Sequence, residues 1–179
     1  MADDADEVTL YTGKYLRVIR RDSWEFVGRT NATGAVAVIA VTDEGNLLLV
    51  EQYRAPVDAR VIDLPAGLTG DGEEKESDAD TARRELLEET GFECDRVTYL
   101  TRGPSSPGIL SEMVSIYRAE GIRLKNEGGG VEGEAITVHE VPLAEVGAWL
   151  GRRAEEDVWI DNKVWAGLYF LSHSAHSTL

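Results

Sequence analysis

A single cysteine, Cys94, stands among the 179 residues. No intrachain disulfide and no cysteine cluster for a metal can therefore form, which fits a reducing compartment. Cationic side chains are also scarce. Eighteen Lys+Arg against 33 Asp+Glu leave a net charge of −15, so the chain lacks the basic face needed to displace counterions from long nucleic acid. No apolar run reaches the ~18 residues of a membrane span, and the opening MADDADE has neither the basic nor the apolar region of an export signal. These absences point to a cytoplasmic protein without membrane or long nucleic-acid partners. Internal repeats and long low-complexity linkers are missing too; Asn126-Glu127-Gly128-Gly129-Gly130 comes nearest and reads as a mobile loop. With 42% hydrophobic residues the chain has material for one core. Residues 1–179 are read as a single domain, with about 12 N-terminal and about 7 C-terminal residues expected to fray.

The abundant acidic residues are not evenly spread. Arg84-Glu85-Leu86-Leu87-Glu88-Glu89-Thr90-Gly91-Phe92 places Glu85 and Glu89 at i and i+4, with Glu88 at i+3. All three project from one narrow sector of a helix. Like charges so crowded destabilise a helix, and a hard, oxygen-seeking cation such as Mg2+, or Mn2+, compensates them. Ser77 with Asp80 three residues later forms a weak capping box, and Gly91 sits where a left-handed C-terminal residue is wanted, so the spacing predicts a helix from Asp78 to Thr90. Ala79, Ala82, Leu86 and Leu87 would form its buried side.

Before this helix, Tyr15 to Arg20 and Trp24 to Arg29 read as short strands about a turn at Asp22-Ser23. Ala35 to Val41 and Leu47 to Tyr53 read as a hairpin about Asp43-Glu44-Gly45-Asn46, and Val61 to Leu64 as a further strand. After it come strands at Val97 to Leu100, Met113 to Ala119 and Ala135 to Val141. Two helices close the chain, Leu143 to Arg153 and Lys163 to Leu171, the latter capped by Asn162. The order implies an α/β protein with a mixed sheet between helical layers and N-terminal antiparallel strands. Most aromatics are assigned to the core by default.

Nine positions, Gly70, Glu76, Arg84, Glu85, Leu86, Glu88, Glu89, Gly91 and Phe92, match the Nudix box, G-x5-E-x7-R-E-U-x-E-E-x-G-U with U apolar. A second register begins at Gly67 of Pro65-Ala66-Gly67 and makes Glu73 the loop glutamate in place of Glu76. Further stretches resemble the ADP-ribose pyrophosphatase branch of that family: Arg20 to Arg29, Val50 to Val57 with its Gln52-Tyr53-Arg54, Asp63 to Gly67, and Ser105-Ser106-Pro107-Gly108 with Pro107 16 residues after Gly91. With the stretches that follow, the resemblance covers about residues 15–172.

The resemblance implies a Nudix-type α/β/α sandwich and metal-dependent hydrolysis of ADP-ribose to AMP and ribose 5-phosphate. It implies metal ligands at the Ala66 carbonyl, Glu85, Glu89 and Glu134, with Glu88 and Arg84 as catalytic residues beside them. Glu132 would be the general base on a loop freed by Gly128 to Gly130, although Glu132 and Glu134 could exchange roles. Arg29 and Arg54 would contact phosphates, and Pro107 would line the substrate site. Trp24 either packs in the core or stacks on adenine, in the second case across a homodimer interface. His139 reads as structural. Other nucleoside diphosphate sugars of GDP-mannose or ADP-glucose type, modified nucleoside triphosphates, and ADP-ribose sensing without turnover are the competing readings.

Overall fold

A computed structural model describes residues 7–70, 76–131 and 134–173. Its strands are β1 (Glu7–Thr12), β2 (Leu16–Arg21), β3 (Trp24–Arg29), β4 (Gly34–Ile39), β5 (Asn46–Arg54), β6 (Ala59–Asp63) and β7 (Ala66–Thr69), followed after helix α1 (Asp78–Thr90) by β8 (Phe92–Glu93), β9 (Arg96–Pro104), β10 (Met113–Glu120), β11 (Arg123–Leu124) and β12 (Thr137–Pro142). Helix α2 (Val146–Glu155), β13 (Trp159–Ile160) and helix α3 (Asn162–His173) complete the chain. Two four-stranded sheets form the body, in the orders β7-β4-β10-β9 and β12-β5-β6-β13, each mixing antiparallel pairs with one parallel pair. The Leu48 amide donates to the Ala40 carbonyl at 2.9 Å and joins them.

Alternation along β4 makes the layers. Val36, Val38 and Ala40 pack with Ala82 and Leu86 of α1, whereas Ala37 and Ile39 pack with Val146 and Leu150 of α2 and Val164 of α3. Neighbouring residues of a strand face opposite sides, so one apolar run fills two cores and puts α1 on one face and α2 with α3 on the other. The expected α/β/α sandwich is the architecture found.

Punctuation set α1 where the sequence places it. Ser77 accepts from the Asp80 amide at 3.2 Å, and Gly91 ends the helix at φ 79°. Elsewhere the structure departs from expectation. Residues 7–12, expected to fray, form β1 and pair with β2. Helix α3 reaches His173, past the expected Leu171, and the Lys163 amide is capped at 2.9 Å by Asp161 rather than by Asn162. Residues 174–179 lie outside the described residues. The aromatic default fails widely: Trp24, Tyr53, Tyr99, Trp159, Trp165 and Tyr169 are all exposed. Strand and helix periodicity put these rings on outer faces, and ring size does not override periodicity.

Candidate active site

Helix α1 lies against β7, and this contact forms the acidic end of a cleft of about 950 Å³. Gly67 makes the approach possible, since a Cβ there would collide with the Glu85 carboxylate. Glu89 is buried at 6% exposure and accepts the Ala66 amide proton at 2.9 Å. Burial pushes its carboxyl up to about 8; the Ala66 hydrogen bond opposes this, and the charges of Glu85, Asp63 and Glu134 add to it.

Arg84 is the local counter-charge. Its Nη1 lies 2.9 Å from Glu85 and 3.0 Å from Glu88, and its Nε lies 3.2 Å from Glu76. Burial alone would lower its affinity for the proton, but Glu85, Glu88 and Glu76 outweigh that and raise it, so the guanidinium stays charged. Glu76 also accepts from Thr81 at 3.0 Å. Glu73, the other candidate for the loop glutamate, lies outside the described residues. The two glycines of the rival registers differ in position: Gly67 faces Glu85, while Gly70 turns the chain at φ 76° against Thr33.

The donors are hard oxygens, and Glu76, Glu85 and Glu88 share the single positive charge of Arg84. The residues thus fit a divalent metal ion. Among the described residues no three acidic, histidine or cysteine side chains are grouped tightly enough to enclose one ion. Arg84 holds Glu85 and Glu88 aside, and Ala66 holds Glu89.

Glu134 lines the cleft, and its carboxylate accepts the Val131 amide at 3.1 Å. Glu132 lies outside the described residues. The glycines upstream behave differently from a mobile loop. Gly128, Gly129 and Gly130 all have positive φ, and the amides of Gly129 and Gly130 donate to the Glu89 and Glu88 carbonyls at 2.8 and 2.9 Å. Their conformational freedom is spent capping the C-terminus of α1, where helix carbonyls lack partners of their own. A Cβ at Gly128 would strike the backbone of Thr90.

Arg29 and Arg54 line the cleft together with Gln52. Arg29 is held 2.5 Å from Glu112, whereas Arg54 has no carboxylate partner among the described residues. Pro107 itself is exposed and does not line the cleft; Pro104 and Ser105 of the same segment do. That segment docks on β3, with the Val27 amide donating to Ile109 at 2.7 Å and the Ser111 amide to Val27 at 3.0 Å. Trp24 is 63% exposed, which removes the core reading, and it does not line this chain's cleft. His139 bonds the buried Glu51 at 2.7 Å, in a cluster with Arg60 and Arg153, as a structural residue would.

Three cleft residues escape the sequence reading. Lys163 stands 2.9 Å from both Asp63 and Asp161. Burial would lower its ammonium, but the two carboxylates win and push it up. A lone Asp in the apolar strand RVID and a lone Lys opening the apolar helix α3 were the available signals. Trp159 on the cleft wall is the third.

Comparisons with known proteins place the family. A NUDIX domain model matches residues 32–164, and the chain belongs to the Nudix family. Hydrolases of this family generally use a divalent metal ion. Over 113 residues the chain is 41% identical to a methanol dehydrogenase activator of Bacillus methanolicus and 42% identical to an ADP-ribose pyrophosphatase of Bacillus subtilis, covering 63% of this chain in both cases. It spans 60% of the length of each of these relatives. An ADP-ribose pyrophosphatase of Mycobacterium tuberculosis is 35% identical over 145 residues, 76% of this chain and 69% of the relative. The crystal structure of an ADP compounds hydrolase shares the fold, with a TM-score of 0.64 at 21% identity over 82% of this chain and 80% of the other. Among the described residues no helix is long and apolar enough to cross a membrane.

Proposed function

We propose that this protein hydrolyses the pyrophosphate bond of a nucleoside diphosphate sugar, with ADP-ribose as substrate and AMP and ribose 5-phosphate as products. One observation carries the reading: a single cleft has the buried Glu89 beside Glu85 and Glu134 at one end and Arg29 and Arg54 on its walls. Carboxylates for a metal and guanidinium forks for phosphate oxygens are what a diphosphate between two organic groups requires. The names of the Bacillus subtilis and Mycobacterium tuberculosis relatives support the substrate.

Mg2+, with Mn2+ as substitute, would be held by Glu85, Glu89, Glu134 and the Ala66 carbonyl. When bound, the ion supplies charge neutralisation of the diphosphate and acidification of the attacking water. Arg84, 2.9 Å from Glu85 and 3.0 Å from Glu88, would release these carboxylates to the ion while remaining beside them as a counter-charge. Arg54, unpaired among the described residues, meets the substrate phosphate, and Arg29 is positioned beside it by Glu112. Glu132 takes the proton from the attacking water, because it lies on the segment between the anchored Gly130 and Glu134.

The active form is a cytoplasmic homodimer, supported by the exposed apolar residues of β1 to β3 and by Trp24, which then acts in the partner's cleft. The deciding experiment compares kcat/KM for ADP-ribose, GDP-mannose and ADP-glucose with Mg2+ present. A higher value for GDP-mannose than for ADP-ribose rejects the substrate, and binding of ADP-ribose without turnover rejects the activity.

A further inference from the structure

We infer that Trp159 is a platform on which one face of the substrate's nucleobase stacks, leaving the opposite face to Trp24 in the proposed dimer, with Gln52 reading the base edge; this inference deepens the hydrolase reading above and rests on it. Strand alternation aims the ring. Val158 is buried at 7% and Ile160 is partly buried against the same core at the edge of the cleft, so Trp159 between them is the side chain turned outward. There it is 65% exposed and lines the cleft that holds Glu85 and Glu89.

The register supplies its neighbours. Gln52 of β5 pairs with Val61 of β6, and Val61 pairs with Trp159 of β13, so the three form one row across the cleft face of the sheet. Two positions along β6 on the same face, Asp63 sits beside the Lys163 ammonium and contributes to the field at Glu89. Two positions the other way along β5 is Arg54. The face thus runs from an acidic end near the metal helix, through a row of amide, aliphatic and indole, to a guanidinium at the rim.

Of the parts of a nucleoside diphosphate sugar, only the base has two broad π faces that suit an open indole. The primary amide of Gln52 offers both a donor and an acceptor, matching the paired donor and acceptor on an adenine edge. No ring contact to another side chain of the described residues occupies Trp159, whereas Trp149 packs on His139. A large indole left uncovered inside the substrate cleft is explained by a ligand that covers it.

The test uses the two products as separate probes, in EDTA and without turnover. AMP is expected to quench tryptophan fluorescence in the wild type and to lose that quench in Trp159→Phe, which keeps a π face and retains AMP affinity by calorimetry. Trp159→Ala is expected to weaken AMP by about 10-fold or more, leaving ribose 5-phosphate affinity unchanged. In the presence of Mg2+ it raises KM for ADP-ribose by a similar factor and leaves kcat within about twofold. Wild-type AMP affinity in Trp159→Ala overturns the inference. So does selective weakening of ribose 5-phosphate, which would place the sugar there, or a change of oligomeric state by light scattering, which would make Trp159 an interface residue. Absence of hydrolysis by the wild type would refute the hydrolase reading instead, and the AMP titration is independent of it.

Discussion

In β4 the residues Val36, Ala37 and Val38 have no exposure at all, whereas every residue of β1 is exposed, Val8 at 41%, Leu10 at 45% and Tyr11 at 60%. Both strands are rich in β-branched or aromatic side chains, and both are hydrogen-bonded into sheets. The difference is what covers them. β4 is sandwiched between helices of its own chain, so its apolar area contributes to folding. The β1-β2-β3 sheet leaves Tyr15, Leu16 and Trp24 uncovered as well, and an apolar patch of that kind is completed by a second surface. One region is finished within the chain; the other would be half of a contact in the dimer proposed above.

The strongest way to sharpen this contrast is to disable the finished region chemically. Glu85→Gln or Glu89→Gln should lower kcat by orders of magnitude while leaving circular dichroism unchanged, because neither residue supports the apolar core. An unaltered kcat for Glu89→Gln at saturating Mg2+ removes the metal assignment. Next in size, Glu132→Gln should reduce kcat by about 10²-fold or more with little change in KM, as loss of a general base does. Glu134→Gln should instead raise the Mg2+ concentration that gives half-maximal rate. Steady-state kinetics that show the opposite pattern exchange the two roles.

The unfinished region is broken by Leu10→Asp. Light scattering should move from a dimer to the 19.6 kDa monomer, with the secondary structure retained, because β1 supplies nothing to either core cluster. A variant that stays dimeric would exclude β1 from the contact.

Acidity distinguishes the regions in a third way. Without metal, Glu89 keeps its proton up to about pH 8 in the folded chain, whereas the unfolded chain releases it near the ordinary 4.5. Between these values the folded state binds more protons than the unfolded state, so stability falls as pH rises and then levels off above about 8. The metal-free protein should therefore lose on the order of a few kcal/mol across that window. Glu89→Gln should flatten the slope in denaturant titrations, and saturating Mg2+ should flatten it too. An equally steep slope in Glu89→Gln would assign it to another group.

The smallest effect is expected at the junction of the two regions. Arg29→Ala removes an ion pair whose arginine is 39% exposed, so its cost in stability should stay below about 1 kcal/mol. KM for ADP-ribose should rise severalfold. A large loss of stability would show that the Arg29–Glu112 pair joins the N-terminal sheet to the body.

Local punctuation explains what was legible. Ser77 and Gly91 bracket α1, and the apolar stretches that became β4 and β5 are recognisable in the sequence because their patterns are written in adjacent residues. The site was partly legible for the same reason: Glu85, Glu88 and Glu89 lie on one turn and a half of helix. Lys163 and Asp63 are 100 positions apart, and no local pattern records that they meet at 2.9 Å. Trp159 has no signal of its own beyond the aromatic default, since the two-residue strand that turns it outward is too short to show an alternation. The glycines at 128–130 were read as slack because positive φ and close approach carry the same sequence signature as mobility.

Those glycines have a spectroscopic consequence. The amides of Gly129 and Gly130 are bonded to the last carbonyls of α1, so they can exchange with solvent only when the loop leaves the helix end. Two slowly exchanging glycine amides are thus expected in a stretch without regular structure, with rates that follow those of the final helical turn. Read by hydrogen exchange, this pair of signals becomes an internal clock for the opening of the segment between the α1 carboxylates and Glu134, independent of any substrate.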